Sequence, residues 1–184
     1  MIKSKPCRIC ESTFHTAMYH KPKKAIKQIS DKKKLEVVIK TKPKKAPKSD
    51  RAKAKERAWK SFSEYIRTRD CIRFTGDKTE GMCITCKRGF TYKQLQAGHF
   101  VGGRGNAVLF DERLVYSQCG HCNQKPPMGL GGNYAMYALF MIDEWGRETT
   151  EEFLRLKGTT KVYKAYDFEE IEVKYKTKLR ELTK

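Results

Sequence analysis

The sequence predicts a small α+β domain, stapled by zinc and flanked by α-helices, with a basic arm in front of it. Three observations lead there. Six of the seven cysteines fall into Cys-x-x-Cys pairs (Cys7/Cys10, Cys83/Cys86 and Cys119/Cys122), leaving Cys71 over. Helical periodicity brackets a short, mixed, glycine-punctuated middle. The positive charge is concentrated at one end. A secreted disulfide scaffold would not be this lysine-rich or carry an odd cysteine, so zinc is the better account of the pairs.

The chain has 184 residues, room for one compact domain and an arm. Only 39% of residues are hydrophobic and mean hydropathy is −0.73, so the core must be modest. Net charge is +19, and Met1–Arg57 holds 16 Lys and 3 Arg against 5 acids, so +14 of the excess lies there. Such an arm suits a polyanion, because each cation placed on a phosphate releases condensed counterions. DNA is the expected partner. No apolar run reaches about 18 residues and no signal-peptide pattern is present, so a soluble, cytoplasmic protein is expected, neither secreted nor membrane-bound.

The elements follow in order. Residues 1–20 form a small unit around the first cysteine pair. Residues 21–50 are a Lys/Pro-rich linker in which Pro22, Pro43 and Pro47 discourage regular structure, with a short apolar patch at Leu35–Ile39. Residues 51–184 are the folded domain. It opens on a helix over Asp50–Asp70, Asp50 as N-cap, because Ala54, Ala58, Phe62, Tyr65 and Ile66 recur at three- and four-residue spacing. Trp59 and Phe62 enlarge that apolar face, which reads as core packing. Gly81–Phe100 reads as a knuckle turn followed by strand, with Gly89 at the turn, and Val101–Asn106 as a glycine-rich loop. Cys119–Lys125 opens into a helix. Tyr134–Trp145 is a helix with Tyr137, Phe140, Met141 and Trp145 on one side, stopped by Gly146. Thr150–Lys157 follows with Thr150 as N-cap, and Asp167–Leu182 is a last amphipathic helix striped by Phe168, Ile171, Tyr175, Leu179 and Leu182.

Cys83, Cys86, Cys119 and Cys122 have the spacing of a four-thiolate zinc site. Each x-x turn brings two sulfurs to one tetrahedral ion, and four thiolates leave no open position, so this zinc is structural. His121, inside the second pair, is then a polar knuckle residue rather than a ligand. Cys7-x2-Cys10-x4-His15-x4-His20 repeats the spacing of a zinc knuckle with histidine in last place, a second zinc site beside Phe14, Tyr19 and several lysines.

Between the two central pairs lies Gly98-His99-Phe100, and Asn123 directly follows the second pair. A zinc-stapled hairpin carrying a histidine and leading into a helix that starts Cys-Asn is the layout of a ββα-metal (HNH-like) core. Ala97-Gly98-His99-Phe100, Phe110-Asp111-Glu112-Arg113, Gln118-Cys119-x-x-Cys122-Asn123 and Gly131-Gly132-Asn133-x-x-x-Tyr137 together resemble the phage NinG (Rap) family of recombination endonucleases. They are similar, more remotely, to the recombination endonuclease VII family. The resemblance spans roughly residues 58–157.

The resemblance implies metal-dependent phosphodiester hydrolysis in branched DNA such as Holliday junctions. It assigns His99 as general base and Asn123 as an oxygen ligand of a catalytic Mg²⁺ or Mn²⁺. Arg104 could clamp the scissile phosphate or stabilise its developing charge, and the expected products are 5′-phosphate and 3′-hydroxyl ends. Lys125 and Asn133 are further DNA contacts, Asn133 serving alternatively as the N-cap of the Tyr134 helix. Symmetric cleavage of a four-way junction calls for a homodimer.

This chain departs from the pattern at Gly98, where many ββα-metal enzymes carry a ligand. Glu112, Asp111 or Gln96 must then supply the missing oxygen, with Glu112 preferred among the three and a surface ion pair with Arg113 or Lys125 standing as its equal alternative. Leu114 stands where the family has Asn. A non-catalytic, zinc-stabilised DNA-binding accessory or regulator is the alternative reading, and a sequence-specific nuclease of the same chemistry a third. The arm and the cysteines suit all three.

Overall fold

The computed structural model describes residues 48–102 and 106–184. Residues 21–47 of the linker, the Cys7–His20 unit and Arg104 therefore lie outside the described residues. The chain runs α1 (Asp50–Thr75), β1 (Glu80–Met82), β2 (Gly89–Thr91), β3 (Leu95–His99), β4 (Val115–Cys119), α2 (Gly120–Asn123), α3 (Tyr134–Trp145), α4 (Arg147–Arg155) and α5 (Ala165–Leu182), with three short 3₁₀ turns between them. This is an α+β arrangement of helices around two small sheets.

The β3–β4 hairpin forms the centre. Its strands are antiparallel, with Leu95 opposite Cys119, Gly98 opposite Tyr116 and His99 opposite Val115. All five residues of β4 are buried because helices cover both faces. On one side Ala97 and Val115 meet Phe62, Tyr65 and Ile66 of α1 and Tyr175 of α5. On the other, Tyr116 packs with Tyr137, Phe140 and Met141 of α3 and Phe153 of α4. Alternate residues of a strand face opposite ways, so one short hairpin serves two apolar layers.

The N-cap of α1 is Ser49, not Asp50: the Ser49 hydroxyl accepts from the Ala52 amide at 3.3 Å. The helix runs five residues past Asp70 and ends on Gly76, whose φ of 72° closes the last turn. Helix α5 lies alongside in the same direction, with Ala54 and Ala58 against Phe168 and Tyr65 against Tyr175. Helix α4 begins at Arg147, so Thr150 is not a cap; its hydroxyl donates back to the Gly146 carbonyl at 2.8 Å. Gly146, at φ 80°, both ends α3 and leads into α4.

Strands β1 and β2 form a second, three-residue ladder whose connecting loop is the first knuckle. The left-handed residue of that turn is Lys87 (φ 58°); Gly89 is already in β2. Among the described residues no helix is long and apolar enough to cross a membrane.

Candidate functional site

The four central cysteines come together. Cys83 and Cys86 sit on the β1–β2 knuckle, Cys119 ends β4, and Cys122 lies in the single turn of α2. Their sulfurs all lie within 4.8 Å of one another, a set that can hold a zinc ion. The knuckle is fastened by Cys83 N–H to Arg88 O (3.0 Å) and Lys87 N–H to Cys83 O (2.8 Å), and to β4 by Ile84 N–H to Ser117 O (3.0 Å). Burial pushes the Cys119 thiol up to about 12 and Cys122 upward as well. Burial also raises Cys83, but bonds from Thr85 and from the backbone of Cys86 and Cys119 outweigh it and bring that thiol down to about 7. A cation would complete what these donors begin, holding all four sulfurs as thiolates. Cys71 is not part of the cluster. It packs against Gly81, where an added Cβ would come within 2.5 Å of its sulfur.

His99 is the last residue of β3. Its Nε2 lies 3.1 Å from the Leu109 carbonyl and its ring stacks on Trp59, centroids 5.1 Å apart and planes 17° apart. A carbonyl can only accept, so the ring proton sits on Nε2 and Nδ1 is the basic nitrogen. The ring lines a cleft of about 410 Å³ with Trp59, Leu109, Lys48, Lys55 and Glu56.

Asn123 is the last residue of α2, at the end of the turn rather than its start. Its Nδ2 donates to Gln96 Oε1 at 2.8 Å. Consecutive strand residues face opposite ways, so His99 looks toward α1 while Gly98 looks toward α2 and α3. Hydrogen bonds agree: Tyr137 Oη donates to Gly98 O at 2.8 Å. His99 and Asn123 thus flank the end of β3 from its two sides.

The two acidic candidates are occupied elsewhere. Glu112 accepts from Tyr65 Oη (3.0 Å), Tyr175 Oη (3.1 Å) and Lys178 Nζ (2.6 Å), joining α1 to α5. It pairs with neither Arg113 nor Lys125. Asp111 caps the 3₁₀ turn by accepting from Arg113 N–H (3.0 Å) and takes the Arg113 guanidinium at 2.7 Å. Lys125 is exposed on the loop after α2. Asn133 stands at the N-cap position of α3 with φ 48°, but its side chain makes no cap bond; its Nδ2 points at Cys122 Sγ, 3.8 Å away.

Sequence reasoning missed Gln118. It is wholly buried in β4, and its Nε2 donates to Gly132 O (2.7 Å) and Thr85 Oγ1 (3.3 Å). Its Oε1 has no hydrogen-bond partner. That oxygen lies over Gly98: a Cβ there would sit 2.1 Å from Gln118 Oε1 and 3.1 Å from Asn123 Oδ1. The signals in the sequence were its place in the Gln118-Cys119-x-x-Cys122-Asn123 motif and the glycine at position 98, standing where a side chain was expected.

Fold and site together define a small α+β protein with a four-cysteine cluster that can bind zinc. The chain belongs to the NinG family: residues 1–184 match the family described as bacteriophage lambda NinG protein. Two relatives named protein ninG, from Escherichia phage 933W and Enterobacteria phage VT2-Sa, are each 27% identical over 128 residues, which is 69% of this chain and 57% of the relative. The chain thus spans a little over half the length of the curated relatives it matches. No solved structure matches it.

Proposed function

We propose that the chain is a metal-dependent endonuclease that hydrolyses phosphodiesters in branched DNA, built on a ββα-metal core. One observation carries this reading: His99 is held by the Leu109 carbonyl and the Trp59 ring so that Nδ1 is its basic nitrogen, at the lip of a cleft. A histidine tethered this way is suited to take the proton of an attacking water, and its carbonyl partner favours the imidazolium that results. The basic arm supplies affinity for the DNA backbone without sequence readout. Asn123 Oδ1, beside Gly98, is the oxygen that would hold Mg²⁺ or Mn²⁺ in this reading. When bound, the cation would offset negative charge developing on the phosphate. Zinc would hold the Cys119 end of the hairpin, where α2 and Asn123 follow, while His99 pairs with Val115 at the other end.

A non-catalytic DNA-binding accessory is the second reading, favoured by one feature: His99 and Asn123 approach the strand end from opposite sides. Cleavage of a labelled four-way junction and a linear duplex, with Mg²⁺ or Mn²⁺, separates the two. Wild type is expected to cut the junction, and His99→Ala to bind it equally while cutting about 100-fold more slowly or worse. If both proteins bind and neither cuts with either metal, the chain is a DNA-binding module.

A further inference from the structure

We propose that the cleft beside His99 receives one unpaired nucleotide of the DNA, its base against Trp59, Ala52 and Leu109 and its phosphate toward Lys48 and Lys55. The inference rests on the nuclease reading and names what that site accepts: DNA in which a base can leave the helix stack. Nucleotide binding can be measured apart from cleavage.

The cleft is built on one strip of α1. Lys48 precedes the helix, and Ala52, Lys55 with Glu56, and Trp59 follow at three- and four-residue intervals, so their side chains line the same side. Helix α5 covers a different strip, where Ala54 and Ala58 meet Phe168. The first strip is left for the end of β3, and His99 and Leu109 close the cleft against it. Trp59 is half-buried and fixed by three rings: it stacks on His99 and is tilted against Phe62 and Phe110. Its remaining surface is a rigid apolar wall. The cleft measures about 410 Å³, at the small end of the roughly 300–1,000 Å³ typical of small-ligand sites. That size suits a single nucleotide and excludes a base pair with its two backbones.

A nucleotide is part flat apolar ring and part anion, and the lining divides the same way. Ala52, Trp59 and Leu109 offer a base an apolar surface, and an aromatic wall accepts any base because every base has a π face. Lys48 and Lys55 supply cations for the phosphate. Glu56 is paired with Lys48, which offsets its charge, and its carboxylate can also accept from the amino group of a base. His99 lines the same space, so a nucleotide seated there brings a phosphate beside the imidazole. A paired and stacked base would leave the apolar wall empty. Drawing a base out costs least where pairing is already broken, so this cleft favours branch points over uniform duplex.

The test uses the full, zinc-loaded chain with deoxyadenosine 5′-monophosphate as probe, beside inorganic phosphate and deoxyribose 5-phosphate as controls without a base. Binding is read by nuclear magnetic resonance from the Trp59 indole N–H and the Ala52 and Leu109 methyls. The Trp145 indole, held by Tyr116 in the other helical layer, is the reference. The mononucleotide is expected to shift the cleft resonances and leave Trp145 in place. Both controls should bind about tenfold more weakly or worse, the loss that goes with a missing base stack. Ala52→Phe sets a ring where the base would lie, at an exposed helix position, and should weaken the mononucleotide by about the same factor. Equal shifts from either control would make the cleft an anion site only and overturn the proposal. So would shifts confined to residues outside the cleft, or an Ala52→Phe protein that folds and binds as wild type does. If Ala52→Phe does not fold, the wild-type shifts decide. A mononucleotide in the cleft with no DNA cut removes the nuclease reading and leaves the nucleotide site standing. Junction cleavage with no response in the cleft removes this inference alone.

Discussion

Asp70 has 1% of its side chain exposed and holds α1 against the hairpin. It accepts from Arg69 at 2.8 Å and from the Ser117 amide at 2.7 Å, while Arg69 also donates to the carbonyls of Glu112 (3.0 Å) and Val115 (2.9 Å). Burial raises the Asp70 carboxyl even against the neighbouring guanidinium, so the charge is retained at a cost. Removing it leaves the half-buried Arg69 with only its two carbonyl partners and strands the buried Ser117 N–H. Asp70→Ala should therefore lose about 3–5 kcal/mol in urea unfolding, and Asp70→Asn less, since an amide oxygen still meets Ser117. A loss under 1 kcal/mol for the alanine variant would mean that Arg69 finds water instead. Nothing in the order of residues announced this pair, because adjacent helix residues are not ordinarily read as partners across a sheet. Gln118 was illegible for the same reason: its role depends on which carbonyl its nitrogen meets after folding. The four central cysteines were legible because their chemistry is carried by spacing alone.

At the level of elements, apolar periodicity served well wherever a helix packs on one face. Tyr134–Trp145 is found with those limits, and α5 starts two residues before Asp167. The start of α4 was misplaced because a threonine beside two acids resembles a cap, whereas Gly146 had already turned the chain. Strands β1 and β2 are too short for an alternating pattern and depend on the knuckle between them. Glu112 shows how a short turn can bind two helices. Burial alone would raise its carboxyl, but bonds from Lys178, Tyr65 and Tyr175 outweigh it and hold it below its usual 4.5. A carboxylate whose folded pKa is depressed contributes stability above its unfolded pKa and loses it as pH falls through the folded value. Thermal unfolding from pH 6 to pH 3 should therefore show wild type losing stability below about pH 4.5, and Glu112→Gln losing about 1 kcal/mol less over the same range. Parallel profiles would place the acid sensitivity elsewhere.

For the whole molecule, the question is what keeps a five-residue hairpin rigid between two helical layers. Each layer buries aromatic rings against one side of β3–β4, with Phe62 and Tyr175 on the first and Tyr116, Tyr137 and Phe140 on the second. The hairpin has only five paired positions of its own. Its Cys119 end is fixed through the sulfurs, which join β4, α2 and the β1–β2 knuckle at one point. Without a cation Cys119 and Cys122, raised by burial, return to their protonated forms, the tetrahedral link is lost, and both layers lose the wall they share. Zinc bound to four thiolates in a small site contributes on the order of 10 kcal/mol to folding, and in a domain of this size 1 kcal/mol is worth about 2–4 °C. Chelation that removes zinc, verified by elemental analysis, should lower the unfolding temperature by well over ~10 °C, with recovery on adding zinc back. Cys119→Ser should purify with less than one zinc and melt like the chelated protein. A zinc-free chain that melts with the wild type would show that aromatic packing alone holds the hairpin. The groups around Gly98 would then owe their placement to Tyr137 and Gln118, and not to the metal.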